Sequence, residues 1–332
     1  MAAKIETVHL ATVLSEYGVD MAGKVVVITG TTSGTGFVCA RELAKKGAKV
    51  FLLNRASERS DASVTSLREA VPDATFEAVE CDLQKFESVK AAVAALEAKV
   101  EKVDVLVNNA GVMALKDVAT PDGYDVQMQT NVLSHFLLAK ALWPLLLKSS
   151  AARVVNHTSQ ARLGPPLEPQ YFEQRGGDLG GDGTEEEALS FQGPRWKRYS
   201  QTKLANCCFT YALQRKLDAA GITSIKPLLA HPGLALTNLQ ATTAGDGGMD
   251  ADSPLMTEAQ TAEDGACGII RAAMDPDAAS AAFFGPTPEW KRGFPDVITP
   301  EESLYDENNI KVFWEGCEAV AGHFPVVAAA AS

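Results

Sequence analysis

An apolar run that leads directly into a glycine-rich turn decides the fold of this chain. The run is Val25-Val26-Val27-Ile28, and the turn is Thr29-Gly30-Thr31-Thr32-Ser33-Gly34-Thr35-Gly36, after which a helical pattern continues to Lys46. Glycines between a strand and a helix allow a tight turn and a close approach of the backbone to a phosphate group. The helix N-terminus adds free N–H groups and the positive end of its dipole. The sequence therefore predicts a cradle for a dinucleotide pyrophosphate.

The chain around this turn alternates short β-rich runs with helical patterns. Strands are predicted at Lys24–Ile28, Lys49–Leu53, Thr75–Glu80, Val103–Val107, Arg153–His157 and Ile225–Ala230. Strands separated by helices indicate right-handed βαβ units and a parallel sheet. Among the predicted helices are Asn131–Leu147 and Ser200–Ala220.

Two stretches interrupt this alternation. Leu163–Arg198 is rich in glycine, proline and acidic residues, and Ala241–Ser253 is rich in alanine, threonine, glycine and aspartate. Both compositions predict loops or flexible excursions. For the first stretch we expect a loosely packed flap whose middle, Gly176–Glu187, is mobile and affects substrate access or assembly.

Composition limits the classes of partner and compartment. The 332 residues carry a formal net charge of −12, which disfavours a nucleic-acid partner because phosphate binding needs basic patches. No apolar run is long enough for an integral membrane span. The six cysteines have neither metal-ligand spacing nor the density of a disulfide framework, so no metal site is predicted. We expect a cytoplasmic protein, with import into an organelle and removal of a transit peptide as the open alternative.

The second predicted strand ends in Asn54-Arg55. An acidic residue at this point would bind the adenine-ribose hydroxyls of NAD, whereas an arginine can pair with the 2′-phosphate of NADP. The pair therefore favours NADP(H) over NAD(H). A solvated surface arginine is the alternative interpretation of Arg55.

A second motif, Tyr199-Ser200-Gln201-Thr202-Lys203, lies far downstream on a predicted helix. A free tyrosine titrates near ~10, which is too high for efficient proton exchange at neutral pH. A lysine four residues later lies one turn away on the same face, where its charge favours the phenolate. With Ser159 at a predicted strand end and the glycine-rich turn upstream, the motif predicts hydride transfer to or from a carbonyl carbon.

These motifs together resemble the short-chain dehydrogenase/reductase family, in particular its retinol-dehydrogenase-like branch, which is related to carbonyl reductases and protochlorophyllide oxidoreductase. The matches follow the family order through Thr29–Gly36, Cys81–Leu83, Asn108–Gly111, Asn131, Val154–Ser159, Tyr199–Lys203 and His231–Gly233. The resemblance implies a doubly wound (Rossmann) α/β fold with a parallel sheet of about seven strands. It implies a single domain over 21–332 after an N-terminal extension at 1–20, with an insertion at 163–198 before the catalytic tyrosine helix and a C-terminal substrate lid at 238–260.

The resemblance also implies roles for individual residues. Tyr199 is expected as the general acid/base, and Ser159 as the residue that orients the carbonyl. Lys203 is expected to bind the nicotinamide ribose and lower the tyrosine pKa, and Asn131 to anchor a water in a proton relay. Together, the motifs and the resemblance assign cofactor contacts to Gly30, Thr32, Ser33, Gly34, Thr35, Gly36, Asn54, Arg55, Asp82, Leu83, Asn109, Ala110, Gly111, Tyr199, Lys203, Pro232, Gly233, Leu234 and Thr237.

The predicted activity is the NADP-dependent interconversion of a carbonyl and an alcohol by a monomer or dimer, acting on an apolar or amphipathic aldehyde or ketone. A light-dependent protochlorophyllide-type reductase is disfavoured because Ala205 and Leu234 stand where that relative has cysteines. A non-catalytic NADP-binding regulatory protein is disfavoured because Ser159, Tyr199 and Lys203 are all present. A sugar-nucleotide epimerase is disfavoured by the spacing of the glycines.

Two positions depart from the family pattern. Thr35 stands where a branched aliphatic residue is common, and we expect little loss because the cradle uses backbone groups. His157 stands on a predicted strand where an apolar residue is usual. We interpret His157 as a hydrogen-bonded core histidine, with a substrate contact as the alternative.

Overall fold

The apolar run before the glycine-rich turn forms an inner strand of one large sheet. A computed structural model describes residues 5–250 and 253–327, and within these ranges eight strands join the sheet. They are β1 (Val25–Thr29), β2 (Lys49–Asn54), β3 (Phe76–Glu80), β4 (Val105–Asn108), β5 (Ala152–His157), β6 (Ile225–Ala230), β7 (Phe283–Pro288) and β8 (Gly293–Val297). Their spatial order is β3-β2-β1-β4-β5-β6-β7-β8.

Seven of these strands are parallel, and β8 runs antiparallel to β7. The doubly wound α/β fold is therefore confirmed, with an antiparallel edge strand that the sequence did not predict. In the register of the sheet, Val27 lies beside Phe51 of β2 and Leu106 of β4. This arrangement brings the carboxyl ends of β1, β2, β4, β5 and β6 to one edge of the sheet.

Helices cover both faces of the sheet. They are α1 (Leu10–Glu16), α2 (Gly34–Lys45), α3 (Glu58–Ala70), α4 (Phe86–Glu97), α5 (Val126–Met128), α6 (Ser134–Ala141), α7 (Trp143–Leu147), α8 (Glu185–Leu189), α9 (Gly193–Ala220), α10 (Asn238–Gly245), α11 (Ala262–Met274) and α12 (Glu307–Ala321). One apolar core lies between the sheet and α1, α2, α3 and α11, and a second lies beneath α4, α6, α7, α9 and α12. Strands covered on both faces have continuous apolar sequences, which explains why Val25–Ile28 predicted β1 so clearly.

Parts of three predicted segments lie outside the described residues. These are residues 1–4 of the N-terminal extension, 251–252 of the lid and 328–332 at the end of the domain.

Two helix predictions need correction. The predicted helix Ser200–Ala220 begins earlier, at Gly193, with Pro194 in its first turn, where a missing N–H costs nothing. The predicted helix Asn131–Leu147 is divided. A π-helix covers Gln129–Leu133, α6 follows, and α7 starts a new segment with Pro144 near its beginning.

The expectation that the insertion at 163–198 is loosely packed is wrong. Its apolar side chains Leu167, Tyr171, Phe172 and Leu179 are buried in the core beneath α9 and α12. Its glycine-rich middle is held by the Asp117 carboxylate, which accepts hydrogen bonds from the backbone N–H groups of residues 177, 179 and 181 at 2.8–2.9 Å. The glycine-rich segment does not form a helix or strand here, and hydrogen bonds to the distant Asp117 carboxylate hold its backbone in place instead.

Arg198 completes this anchor from the long helix α9. The side chain is fully buried and donates to the backbone oxygens of Leu115, Leu179 and Gly181 at 3.1, 3.2 and 2.6 Å. Its guanidinium lies 3.7 Å from the carboxylate of Asp117 and 3.4 Å from that of Asp125. The insertion is therefore cross-linked to α9 by buried polar contacts.

The predicted loop at Ala241–Ser253 is also partly helical. It begins inside α10, which runs to Gly245 and starts at a capping box in which Thr237 and Gln240 bond each other's backbone. Asp246, just after α10, accepts from the Lys116 backbone N–H at 2.9 Å and lies 3.4 Å from the Arg195 guanidinium. The segment after β6 is thus tied to the first turn of α9.

The N-terminal segment packs on a helix from the other end of the chain. The Asp264 carboxylate of α11 accepts hydrogen bonds from the backbone N–H groups of Val8, His9 and Leu10 at 2.8, 2.7 and 3.2 Å. These groups open α1 and have no partner of their own within that helix, so Asp264 acts as its cap. Over the described ranges, no helix has the length and apolarity needed to cross a membrane.

We predict that Asp117→Ala destabilises the protein by about 3 kcal/mol, because it removes one of the two carboxylates beside the buried Arg198 guanidinium and the acceptor of three backbone N–H groups. Unfolding in urea, followed by circular dichroism, gives the change. The control is Asp178→Ala in the same insertion, where an 84% exposed carboxylate pairs with Arg175 at 3.2 Å. That exposed pair should contribute less than about 0.5 kcal/mol. Equal effects of the two substitutions would contradict the anchoring role of Asp117.

Candidate active site

The glycine-rich turn depends on two glycines for different reasons. Gly30 has φ +71°, in the left-handed region, and a Cβ there would lie 2.8 Å from the Cα of Ala110. A Cβ at Gly36 would overlap the carbonyl oxygen of Gly30 and the Nδ2 of Asn109. The first allows the turn after β1, and the second allows α2 to start directly against that turn.

Two asparagines hold the turn from neighbouring strands. Asn54, at the end of β2, accepts from the Thr31 N–H and donates to its hydroxyl, both at 2.8 Å. Asn109, after β4, donates through Nδ2 to the carbonyl oxygens of Thr29 and Gly30 at 2.9 and 3.0 Å. No described side chain caps α2, whose N-cap is Ser33, so the first N–H groups of this helix remain available to an anion.

A cavity of about 980 Å³ extends from this turn along the carboxyl edge of the sheet. Most of the predicted site residues line it: Gly30, Thr32, Ser33, Gly34, Thr35, Asn54, Arg55, Asp82, Leu83, Asn109, Ala110, Gly111, Ser159, Tyr199, Lys203, Pro232, Gly233, Leu234 and Thr237. The structure thus brings together segments that are more than two hundred positions apart in the chain. Two predicted residues, Gly36 and Asn131, are not among the residues that line the cavity.

Asn131 sits in the π-helix with its side chain fully engaged. Its Oδ1 accepts from the Val112 N–H at 2.8 Å, and its Nδ2 donates to the Val112 oxygen and the Thr202 hydroxyl at 2.9 and 3.0 Å. These contacts fix the segment after β4 against α9. The geometry makes Asn131 a positioning residue, and its expected part in a proton relay stays a prediction.

Three groups with acid–base chemistry meet at the end of β5. Ser159 follows this strand, while Tyr199 and Lys203 lie one turn apart on α9. The Nζ of Lys203 is 5.5 Å from the centre of the Tyr199 ring and donates to the backbone oxygen of His157 at 3.3 Å. Tyr199 is 3% exposed and Lys203 6% exposed, so both are almost removed from water.

Burial dominates the electrostatics of this pair. It raises the pKa of Tyr199 to about 12, and hydrogen bonding by Ser159 is the contribution that opposes it. Burial also lowers the pKa of Lys203 to about 8. The expectation that Lys203 depresses the tyrosine pKa needs correction for this structure, because removal from water penalises the phenolate more strongly than any neighbouring group favours it.

The far end of the cavity contains a basic group that sequence reasoning missed. Arg59 lines the cavity together with Arg55, four residues earlier. No helical spacing links the two arginines, because α3 begins at Glu58 and Arg55 lies before it. Arg59 was missed because the predicted helix began only at Ser60. Asp82 lies nearby, with its carboxylate 3.5 Å from the Lys85 ammonium.

The opposite end is lined by apolar and aromatic side chains, several of which were also missed. Trp196 packs edge-on against Tyr199 at 5.9 Å between ring centroids and against Phe191 at 4.9 Å. Its Nε1 donates to the Ala188 oxygen of α8 at 2.8 Å, which fixes the indole. Other apolar residues around this end are Met113, Leu163, Leu239, Met249, Leu255 and Trp290. Trp196 lies one helical turn before Tyr199, a spacing visible in the sequence once α9 is known to start at Gly193.

Known proteins share this architecture. The family model described as short chain dehydrogenase matches residues 24–171. The short-chain dehydrogenase/reductase drtF of Aspergillus calidoustus is 32% identical over 237 residues, which are 68% of this chain and 71% of that protein.

The chain belongs to the short-chain dehydrogenase/reductase family.

Within this family the chain is similar to retinol dehydrogenases. Mouse retinol dehydrogenase 12 is 34% identical over 221 residues, which are 67% of this chain and 64% of that protein. An uncharacterised oxidoreductase of Schizosaccharomyces pombe is 36% identical over 226 residues, 66% of this chain and 62% of the relative. The chain thus spans less than two thirds of the length of several curated relatives that it matches.

Two solved structures extend the comparison. An uncharacterised protein from Mycobacterium paratuberculosis has a TM-score of 0.72 at 30% identity, covering 96% of this chain and all (100%) of that one. The NADP active-site complex of Pseudomonas aeruginosa RhlG has a TM-score of 0.58 at 25% identity, covering 79% of this chain and 93% of that one. The identity to retinol dehydrogenase 12 confirms the resemblance to the retinol-dehydrogenase-like branch, and the two solved structures share the fold.

We predict that Gly36→Ala lowers the melting temperature by several degrees, because the added methyl group overlaps Gly30 and Asn109. Scanning calorimetry measures the shift. Gly245→Ala serves as the control, since a Cβ at the end of α10 meets no described atom within 4 Å. That variant should melt within about one degree of the wild type or slightly above it. A normal melting temperature for Gly36→Ala would mean that the turn can rearrange.

Proposed function

We propose that this protein is an NADP(H)-dependent oxidoreductase that interconverts a carbonyl and an alcohol, chiefly in the reducing direction. The observation that carries the proposal is the meeting of Ser159, Tyr199 and Lys203 in the same cavity as the glycine-rich turn. A pyrophosphate fits that turn because Gly30, Ser33 and Gly34 line the cavity and the first N–H groups of α2 are uncapped. When bound, the nicotinamide supplies the hydride for reduction.

Tyr199 donates the proton that the carbonyl oxygen needs. Because burial raises the pKa of Tyr199 to about 12, the phenol is protonated at neutral pH and holds the proton to be transferred. Ser159 lies beside that hydroxyl and orients the carbonyl oxygen toward it. The ammonium of Lys203, 5.5 Å from the ring, stabilises the phenolate that remains after transfer and binds the nicotinamide ribose.

The preference for NADP(H) rests on the end of β2. Asn54 occupies the place where an acid would repel a 2′-phosphate, and its side chain is committed to Thr31. Arg55 and Arg59 line the adjoining wall and supply positive charge for that phosphate. The NADP complex of RhlG, at 25% identity, supports the same choice.

The substrate is an apolar or amphipathic aldehyde or ketone. The wall beside Tyr199 is built from Met113, Trp196 and Met249, which pack together as one apolar cluster. The described parts of the segment 238–260, residues 238–250 and 253–260, form the lid over this end, since Leu239, Met249 and Leu255 line the cavity. Such a wall favours a bulky apolar group next to the reacting carbonyl.

The compartment and the assembly belong to the same proposal. All six cysteines are free and buried, which suits a reducing environment such as the cytoplasm. We propose a monomer or dimer there.

We predict that Tyr199→Phe lowers kcat for NADPH-dependent aldehyde reduction by at least about 10²-fold, because the ring remains and only the transferable proton is lost. NADPH binding should stay within a few-fold of wild type. Tyr211→Phe is the matched control on the same helix, since its hydroxyl has no hydrogen-bond partner among the described residues. Activity is followed by nicotinamide absorbance over a panel of aldehydes and ketones. Near-wild-type turnover by Tyr199→Phe would refute the assigned role.

We predict that Arg55→Asp combined with Arg59→Asp shifts the ratio of kcat/KM for NADPH over NADH by roughly 10²-fold toward NADH. The change removes two cations and adds repulsion toward the 2′-phosphate. Arg68→Asp is the control on the same helix, where the guanidinium lies 3.4 Å from the Phe76 carbonyl oxygen. It should leave the ratio unchanged. An unaltered ratio in the double variant would mean that neither arginine reads the phosphate.

A further inference from the structure

A buried histidine at the end of β5 has one ring nitrogen in use and one free. His157 is 7% exposed, lies two residues before Ser159 and lines the cavity that contains Tyr199 and Lys203. Its Nδ1 is 3.0 Å from the Oδ1 of Asn109. Its Nε2 is buried and has no hydrogen-bond partner within the described part of the chain.

The hydrogen bonds of Asn109 determine which nitrogen of His157 carries the proton. Because the Nδ2 of Asn109 donates to the carbonyl oxygens of Thr29 and Gly30, its other terminal atom must be the oxygen. That oxygen accepts, so the Nδ1 of His157 is the donor across the 3.0 Å contact. In the neutral ring, Nε2 then presents a lone pair and can only accept.

The surroundings keep this ring neutral. Burial, the Lys203 ammonium of α9 and His231 at the end of β6 lower the pKa of His157 to about 3. His231 is itself neutral, because burial and Arg162 lower its pKa to about 3. The neutral ring is therefore favoured, and in it Nε2 is a hydrogen-bond acceptor.

A buried acceptor without a donor costs free energy, so few are left unpaired in native proteins. The position of His157 indicates what completes it. Its own backbone oxygen binds the Nζ of Lys203, whereas Arg55 and Asp82 lie toward the far end of the cavity. Under the proposed function, on which this inference rests, His157 thus lies beside the nicotinamide-ribose half of the dinucleotide.

We propose that His157 is a cofactor-binding residue whose Nε2 accepts a hydrogen bond from an N–H or O–H group on the nicotinamide-ribose half of NADP(H). Asn109 fixes the tautomer and orientation of the ring, and so couples this contact to the turn that cradles the pyrophosphate. The interpretation of His157 as a hydrogen-bonded core histidine therefore holds for Nδ1 and not for Nε2.

Two substitutions separate the nitrogens of the ring. His157→Asn keeps an N–H donor near the position of Nδ1 and removes the acceptor. His157→Gln reaches the position of Nε2 with an amide oxygen and removes the donor to Asn109. NADPH dissociation constants, measured by nicotinamide fluorescence with thermal unfolding as a check on folding, should be about 5–20-fold weaker for His157→Asn and within about 3-fold of wild type for His157→Gln. The loss of NADPH affinity caused by His157→Asn should be the same from pH 6 to 9, because the His157 ring of the wild type is neutral throughout this range.

The outcomes are distinct. Equal NADPH affinity of wild type and His157→Asn would overturn the proposal, since a water molecule or nothing would then complete Nε2. Equal weakening by both variants would also overturn it, because the bond to Asn109 alone would account for the loss. Wild-type protein that binds neither NADPH nor NADH would overturn the proposed function itself, which is a separate result.

A cofactor analogue identifies the donor. The NADP⁺ analogue with an acetyl group in place of the carboxamide lacks the amide N–H groups. If the carboxamide is the donor, wild type and His157→Asn should bind this analogue equally while differing for NADP⁺. If a ribose hydroxyl is the donor, the difference should persist. Both results support the contact and assign its partner.

A measurement on the wild-type protein covers the case in which the variants do not fold. Of the five histidines, His157 is the one expected to carry an unbonded, unprotonated Nε2 next to the cofactor. Its ¹⁵N resonance, observed through the ring protons, should move upfield when NADP⁺ is added, as an imidazole nitrogen does on accepting a hydrogen bond. An Nε2 resonance that does not shift at saturating NADP⁺ would overturn the proposal.

Discussion

The side-chain amide of Asn109 joins parts of the site that the chain places far apart. Its two N–H groups bind carbonyl oxygens of the glycine-rich turn after β1, and its oxygen accepts from Thr35 at the start of α2 and from His157 at the end of β5. With both donors and both lone pairs in use, the amide has one orientation. The turn, the first helix after it and the strand that leads to Ser159 are therefore held in one fixed arrangement. Thr35, a departure from the family pattern, contributes a hydrogen bond to this arrangement.

Much of the fold could be predicted because its signals are local. The apolar run of β1, the glycines after it and the one-turn spacing of Tyr199 and Lys203 each depend on neighbouring residues alone. The packing of the insertion could not be predicted in the same way. In the sequence, Asp117 looks like any surface aspartate. In the structure, its carboxylate oxygens accept hydrogen bonds from backbone N–H groups of glycines some sixty positions later. Arg198 likewise gives no sign that it is fully buried, because burial of an arginine depends on partners that only the folded chain supplies.

The site shows the same limit in its electrostatics. A sequence argument can count the positive charge one turn from Tyr199, but the cost of removing the phenolate from water depends on packing. In the structure that cost is larger than the stabilisation of the phenolate by neighbouring groups, so the pKa of Tyr199 rises. The same burial lowers the pKa of Lys203. The two shifts have one cause and opposite signs, so the neutral amine and the neutral phenol are both favoured relative to water. His135 and His157, whose pKa values burial also lowers, extend this low-charge environment beneath the cavity.

The cap that Asp264 provides for α1 affects when the N-terminal segment can reach its native contacts during synthesis. The bonded groups are 254 to 256 residues apart. A ribosome adding 5–20 residues per second needs roughly 10–50 s to cover that distance. For this interval the nascent N-terminal segment lacks its partner, while the strands and helices that follow it can already assemble. Val8, His9 and Leu10 are thus fixed long after they are synthesised, and they stay open to chaperones and proteases until α11 leaves the exit tunnel.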